Sequence, residues 1–299
     1  MMKFLKWMAI ILGVIIILII VSIAIIYFKS NSKLNKTYNI KVESILTSSD
    51  SSSIAHGRHI AVIRGCMDCH GKNLSGKKMM DNPAMGTIYA PNLTSGEGGI
   101  GGHYTTKDWV RSIRHGVNRN GRPIVMMPSH LYYDLSESDI AALVSYLQQL
   151  SAVDNITDPL KIGPVMRMLI VTGKMLLSAE IIDHDAGRIP APEPGVTVEY
   201  GRYLAVICKA CHGPGLSGGK IADGDPSWPP ASNITPDRES GIGNWTEEDF
   251  LNAMRKGRSK DGRKLHPAMP RSLSEMTDDE LRAVWLFLQS VPPIPFGNH

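Results

Sequence analysis

At 299 residues, 43% hydrophobic and 20% charged, the chain has the composition of a globular protein with room for about two domains, which excludes a disordered chain. Its net charge of +4 forms no basic stripe: residues 55–150 hold ten Lys/Arg against seven Asp/Glu, and residues 196–299 hold twelve against thirteen. A nucleic-acid role therefore has no electrostatic support.

The first element is a 22-residue run without charge, Trp7 to Phe28. About 20 apolar residues in a helix cross a bilayer core, whereas a secretory signal has a shorter apolar stretch and a small-residue cleavage site. The run is too long for a signal, so residues 1–30 are expected to be an uncleaved membrane anchor and 31–54 a tether. Orientation does not follow from the flanking charge. Lys3 and Lys6 precede the run, and Lys29, Lys33, Lys36 and Lys41 follow it.

Beyond the tether the chain repeats itself. "HGRHIAVIRGCMDCHG" is answered by "YGRYLAVICKACHG", with two residues fewer in the second copy. "APNLTSGEGGIGG" is answered by "ASNITPDRESGIGN", and "YTTKDWVRSIRHGVNRNGR" by "WTEEDFLNAMRKGRSKDGR". Two copies of such length indicate a duplicated domain and not a solenoid; the expected bounds are 55–150 and 200–299. In each copy one helix should lead into the cysteine motif. A second should start at Thr105 or Thr246, each with an Asp three residues on, in a capping-box pattern. A third should start at Ser136 or Thr277. Its apolar residues, Ile140, Leu143, Val144 and Leu147, then Leu281, Val284, Trp285 and Leu288, form the stripe of a helix with one buried face. No strands are expected, so the fold class is all-α. Short helices joined by long loops leave little apolar surface to bury, so something besides the polypeptide should supply core. Fifteen methionines against 6% aromatics fit that picture, although methionine also fills ordinary core gaps.

Residues 151–199 form a connector. "PVMRMLIVTGKMLLSAEII" is apolar, but Arg167, Lys174 and Glu180 make it a poor span. A helix packed on the two domains is the first expectation and membrane-surface contact the second. The Pro-rich stretch 188–195 is a stiff lead-in to the second copy.

All four cysteines lie in "CMDCH" and "CKACH". C-x-x-C-H is the attachment pattern of a c-type heme. Two thiols a helical turn apart can each add to one vinyl group of the porphyrin, and the next histidine can reach the iron. Cys66, Cys69 and His70 would serve one heme, and Cys208, Cys211 and His212 another. A shared zinc site would waste the duplication. A thioredoxin-like pair lacks its βαβ setting. Plain disulfides leave both histidines unexplained. Each copy also has a Met-Pro step 57 residues after its histidine, Met127-Pro128 and Met269-Pro270. Proline biases the preceding residue toward an extended backbone, and methionine opposite histidine raises a heme potential. Met127 and Met269 are thus the candidate sixth ligands; Met126 competes directly, and Met79, Met80 and Met85 less so. The other eight histidines, His130 and His266 among them, are expected to be mostly surface or loop residues. Asn92, Asn233, Arg114 and Arg255 recur in both copies and could bond a propionate or hold turns.

These motifs, with the "PNLT…GIG" and "SNIT…GIG" loops, resemble the class I c-type cytochromes. The likeness is strongest to the membrane-anchored multiheme cytochrome subunits of alcohol and gluconate dehydrogenases. It covers nearly all of 56–150 and 200–292. It implies two tandem all-α domains after a transmembrane helix, each around one covalently bound heme c, with His70/Met127 and His212/Met269 as axial pairs. Those subunits typically carry three hemes, where this chain has sites for two, and diheme anchored cytochromes also serve as general respiratory carriers. Heme attachment takes place outside the cytoplasm, which implies heme domains on the periplasmic side of the inner membrane. The expected function is electron transfer, not substrate turnover, with a dehydrogenase, a quinol-oxidising complex or a terminal oxidase as redox partner. The alternative is a diheme oxidoreductase acting on a small substrate such as thiosulfate or peroxide, which would need an open sixth position on one iron.

Overall fold

The computed structural model describes residues 2–188, 190–221, 224 and 227–297. Met1, Ile189 of the Pro-rich lead-in and the last two residues of the second copy lie outside the described residues.

The apolar run forms helix α1, Met2–Leu34. Thirty-three residues at 1.5 Å each span about 50 Å, longer than a bilayer core. Among the described residues it alone is long and apolar enough to cross a membrane. It runs four residues past the expected boundary.

Copy 1 contains α2 (Ser51–Ile63), α3 (Cys66–His70), α4 (Thr106–His115) and α5 (Glu137–Gln148). Asp50 caps α2 by accepting the Ser53 N–H. Thr105 and Asp108 form the expected capping box at α4. Ser136 accepts the Asp139 N–H at α5, but the Asp139 carboxylate is engaged elsewhere, by His56 and Tyr203, so the box is not reciprocated.

Two short strands, β1 (Lys77–Asn82) and β2 (Gly86–Ala90), pair antiparallel, and a two-residue β3 (Lys161–Ile162) joins the edge of β2. This sheet departs from the expectation of no strands. Its local cause is visible: Thr87, Ile88 and Tyr89 favour strand, and the Asn82 side chain accepts the Ala84 and Met85 N–H groups to close the turn. The molecule is nonetheless mostly helical.

The connector carries α6 (Pro164–Val171) and α7 (Ser178–Ile181). Expected to lie on the two domains, these helices pack on α1, on the sheet and on the Met127 loop of copy 1. Met166, Ile170 and Leu177 bury against Ile88, with Leu34 of α1 beside them.

Copy 2 contains α8 (Val198–Leu204), a 3-10 turn (Ala205–Cys208), α9 (Lys209–His212), α10 (Glu247–Lys256) and α11 (Asp278–Ser290). Within each copy the first helix crosses the last at very short range. A Cβ on Gly57 would lie 1.9 Å from the Ala142 carbonyl oxygen, and one on Gly201 would lie 1.8 Å from that of Ala283.

One hydrophobic core runs through both copies, from Ile60, Leu143 and Trp109 to Leu204, Leu281 and Trp285. The polar contacts across it are reciprocal. His59 of α2 meets Glu280 of α11 at 2.9 Å, and at the equivalent positions Tyr203 of α8 donates to Asp139 of α5. Copy 1 thus offers copy 2 what copy 2 offers it, the pattern of a two-fold pair. Bonding to Glu280 raises the His59 pKa. Burial alone would push Glu280 up, but the bonds from His59 and Thr277 win and hold it below its ordinary value. The raised His59 contributes stability that is full below its unfolded pKa and is lost as pH rises through the folded one. Melting temperature should therefore fall between pH 6 and pH 9 by about 2–4 °C, the response to ~1 kcal/mol in a chain of this size. His59→Gln should flatten that slope, as scanning calorimetry at the two pH values will show.

Candidate functional site

Both cysteine motifs form a single helical turn. In copy 1 the turn begins after Gly65, which is left-handed at φ +74°. In copy 2 the helix runs on through the 3-10 turn. The two extra residues of copy 1 are therefore the Arg64–Gly65 break between α2 and α3. The one-turn geometry sets both sulfurs and the histidine off one short segment, as the spacing predicts.

The thiols are free in both copies. Burial pushes the Cys66 thiol up to about 12 and Cys208 up to about 11. Thioredoxin-like cysteines have depressed values, so these are neutral thiols and not a poised redox pair.

His70 and His212 are held alike. His70 Nδ1 lies 2.9 Å from the Pro91 carbonyl, and His212 Nδ1 lies 2.7 Å from the Ser232 carbonyl. A ring nitrogen facing a carbonyl must carry the proton, so Nε2 keeps its lone pair. Burial lowers both pKa values, which keeps the rings neutral. A fixed neutral imidazole with a backbone partner on Nδ1 is the form that ligates metals. The loop after each histidine wraps back to it: Gly76 N–H donates to the His70 carbonyl, and Gly218 N–H to that of His212. Each loop carries a buried leucine at positive φ, Leu74 at +59° and Leu216 at +60°. That conformation costs about 1–2 kcal/mol in a residue with a Cβ, and it recurs at the same place in both copies.

Met127 and Met269 pack against the same core as Cys66 and Cys208. The Met127 carbonyl accepts the Ser178 hydroxyl of α7 at 2.9 Å, which pins the loop. Met126, at φ +72°, is 39% exposed and turned out of the core. Met80 and Met85 belong to the separate cluster under α1, and Met79 is exposed. Of the candidate methionines of copy 1, Met127 packs against the core that also takes Cys66, while Met126 and Met79 are exposed and Met80 and Met85 pack elsewhere.

Residues left undecided by the sequence prove to hold turns. The Asn92 side chain accepts from Thr94 and donates to the Val153 carbonyl; Asn233 does the same with Thr235 and Ile294. Arg114 donates to the carbonyls of Leu135 and Ser136 and pairs with Glu43. Arg255 donates to the Ser274 carbonyl and to Asp278. His130 and His266 lie at the surface. His115 is buried, contrary to the general expectation for the remaining histidines. Its Nδ1 is 3.0 Å from Nδ1 of His184, which ties α4 to the connector.

Two features escaped the sequence. Trp109 is 2% exposed, yet its indole N–H has no partner among the described residues. Leaving such a donor buried and unpaired costs about 1–3 kcal/mol. An acceptor outside the polypeptide, such as the carboxylate of a bound heme, accounts for it, and the counterpart position in copy 2 holds Phe250, which needs none. The second is Arg64, 3% exposed, wedged between the copies. It donates to the carbonyls of Tyr203 and Leu204, and its guanidinium carbon lies 5.0 Å from the Tyr203 ring centroid. Burial raises both thiols; the Arg64 charge opposes it at Cys208 and, more weakly, at Cys66. The two-residue length difference between the copies was the available signal.

Comparison with known proteins shows the family of both copies. The family model for cytochrome c matches twice, at residues 54–151 and 198–292. The chain is 27% identical over 274 residues to the fructose dehydrogenase cytochrome subunit of Gluconobacter japonicus, covering 80% of this chain and 53% of that one. It is 27% identical over 268 residues to the gluconate 2-dehydrogenase cytochrome c subunit of Pantoea cypripedii, covering 80% and 59%. With a diheme cytochrome c-type protein of Cereibacter sphaeroides it shares 27% over 272 residues, covering 80% and 86%. The chain spans little more than half the length of the dehydrogenase subunits it matches.

Proposed function

The chain belongs to the cytochrome c family, and from that premise we propose that it is a diheme electron carrier tethered by α1 to the outer face of the cytoplasmic membrane. It carries two covalently bound heme c groups, one for each matched segment. Cys66 and Cys69 bind the first through thioethers, and Cys208 and Cys211 the second. His70 and Met127 would hold the iron of the first, and His212 and Met269 that of the second. Each heme supplies reversible one-electron chemistry when bound.

The protein's own residues set the conditions. Pro91 and Ser232 hold the imidazoles in one tautomer. One hydrophobic core, continuous through both copies, packs against the first cysteine of each motif. Thioether sulfur opposite imidazole favours the reduced iron. The buried charge of Arg64 favours it at both sites. Arg64→Met should lower both midpoint potentials by on the order of 50 mV, as the loss of a buried positive charge disfavours the reduced form by on the order of 1 kcal/mol at an effective dielectric near 20. Spectroelectrochemistry of the variant beside the parent reads this directly.

The relatives named as subunits of fructose and gluconate dehydrogenases make a membrane dehydrogenase the first choice of partner, with a quinol-oxidising complex or a terminal oxidase as the other stations on such a route. The observation that carries the proposal is the duplicated turn, in which a neutral histidine is aimed by a loop carbonyl beside two half-buried cysteines.

The test is a redox titration with visible spectra on protein made in a host able to attach heme c. Two hemes per chain, each with a methionine–iron band in the oxidised state, are expected. A colourless or zinc-loaded product overturns the proposal. A single such band would leave one open iron and point to the diheme oxidoreductase.

A further inference from the structure

Among the described residues outside α1, twelve large hydrophobic residues are exposed, and four of them, Val165, Met168, Leu176 and Ile181, fall within one 17-residue stretch of the connector. That stretch sits against the end of the anchor. Arg167 of α6 donates to the Ser30 hydroxyl at 2.8 Å and places its guanidinium 4.6 Å from the Tyr27 ring centroid. Lys33 of α1 pairs with Glu180 of α7 at 3.0 Å. Leu34 closes over Met166, Ile170 and Leu177. Residues 27–34 are where the uncharged run gives way to Lys29 and Lys33, the level at which a spanning helix leaves hydrocarbon. The connector is therefore clamped at that level.

Its two faces are partitioned. Met166, Ile170 and Leu177 point into the protein, and Val165, Met168, Leu176 and Ile181 point out. Exposed lysines lie close by in sequence, Lys174 on the connector and Lys29 on the anchor, with the exposed Asp183 and Asp185 just beyond Ile181. An apolar face beside the emergence point of a membrane helix is the arrangement of a segment lying in the lipid interface.

We infer that the connector docks on the bilayer through this face and holds the heme-bearing copies at a fixed attitude to the membrane instead of letting them swing on a flexible tether. The inference rests on the reading of α1 as an anchor. The occupant is the lipid surface, because the clamp to α1 sets the face at the depth of the lipid headgroups.

The test uses the full heme-loaded chain in phosphatidylcholine–phosphatidylglycerol vesicles doped with a diazirine-bearing phospholipid. After photolysis, peptide mapping locates the lipid adducts. Adducts are expected on α1 and on peptides within 164–181. In the double variant Met168→Glu, Leu176→Glu the connector adducts should drop at least fivefold, with the heme spectrum and the α1 adducts unchanged. Labelled α1 beside an unlabelled connector overturns the inference and leaves the anchor standing. Unlabelled α1 overturns the anchor reading itself, and the inference with it. A connector that stays unlabelled while the chain cross-links as a dimer assigns the face to a second copy, which also overturns the inference, as does connector labelling that the double variant leaves intact.

Discussion

Replacing Met127 with alanine is expected to lower one of the two midpoint potentials by on the order of 0.1–0.3 V, within the ~0.8 V range over which axial ligands tune heme. The other potential should stay in place. The methionine–iron band should fall to half, and the ferrous heme of copy 1 should become open to carbon monoxide. The reason is steric as well as electronic. Met127 lies on the core side of its loop, with its carbonyl pinned by Ser178, whereas Met126 points to solvent. Rescue by the neighbour would require the left-handed backbone at Met126 to be rebuilt. Met126→Ala is the control, and it should leave both potentials within a few hundredths of a volt of the parent. The reverse outcome, with Met126 carrying the band, would overturn the assignment for copy 1. Met269→Ala should act on the second heme in the same way.

The second large effect is on stability. Gly57→Ala should destabilise copy 1 by about 3 kcal/mol or more, and Gly201→Ala should do the same to copy 2. Alanine is the better helix former by about 1 kcal/mol, so local propensity alone gives the wrong sign. Each new methyl would sit under 2 Å from a carbonyl oxygen of the facing helix. That obstacle is backbone and cannot rotate away. The two helices must separate, and the core they seal opens beside the cysteine motif. Chemical denaturation of the heme-loaded protein measures the cost. Gly187→Ala is the control, since nothing lies within 4 Å of its added Cβ. A loss below 1 kcal/mol at Gly57 would mean that the helices cross more loosely than described.

Most of the architecture was legible because it is written in local patterns. The 3.6-residue stripe at Ile140, Leu143, Val144 and Leu147 placed α5, and threonine with an acid three residues on placed the starts of α4, α10 and α11. The sheet was missed because Lys77–Ala90 is a hairpin of mixed polarity whose third strand comes from more than 70 residues away. At α5 the box failed for a non-local reason. Asp139 has the right spacing, but Tyr203 and His56 compete for its carboxylate.

By itself the sequence determined the chemistry: two thiols, a histidine and a Met-Pro step, written twice, commit the chain to two covalent hemes, because covalent spacing along one helical turn is a local property. It also determined the apolar length of the N-terminal helix. Only the tertiary structure decided which of two adjacent methionines packs against the core, how the copies exchange His59–Glu280 for Tyr203–Asp139, and that Arg64 is buried against the backbone of Tyr203 and Leu204. Those outcomes depend on which surfaces meet across more than a hundred residues of chain, and burial and partner choice at such a meeting leave no periodicity for a sequence to show.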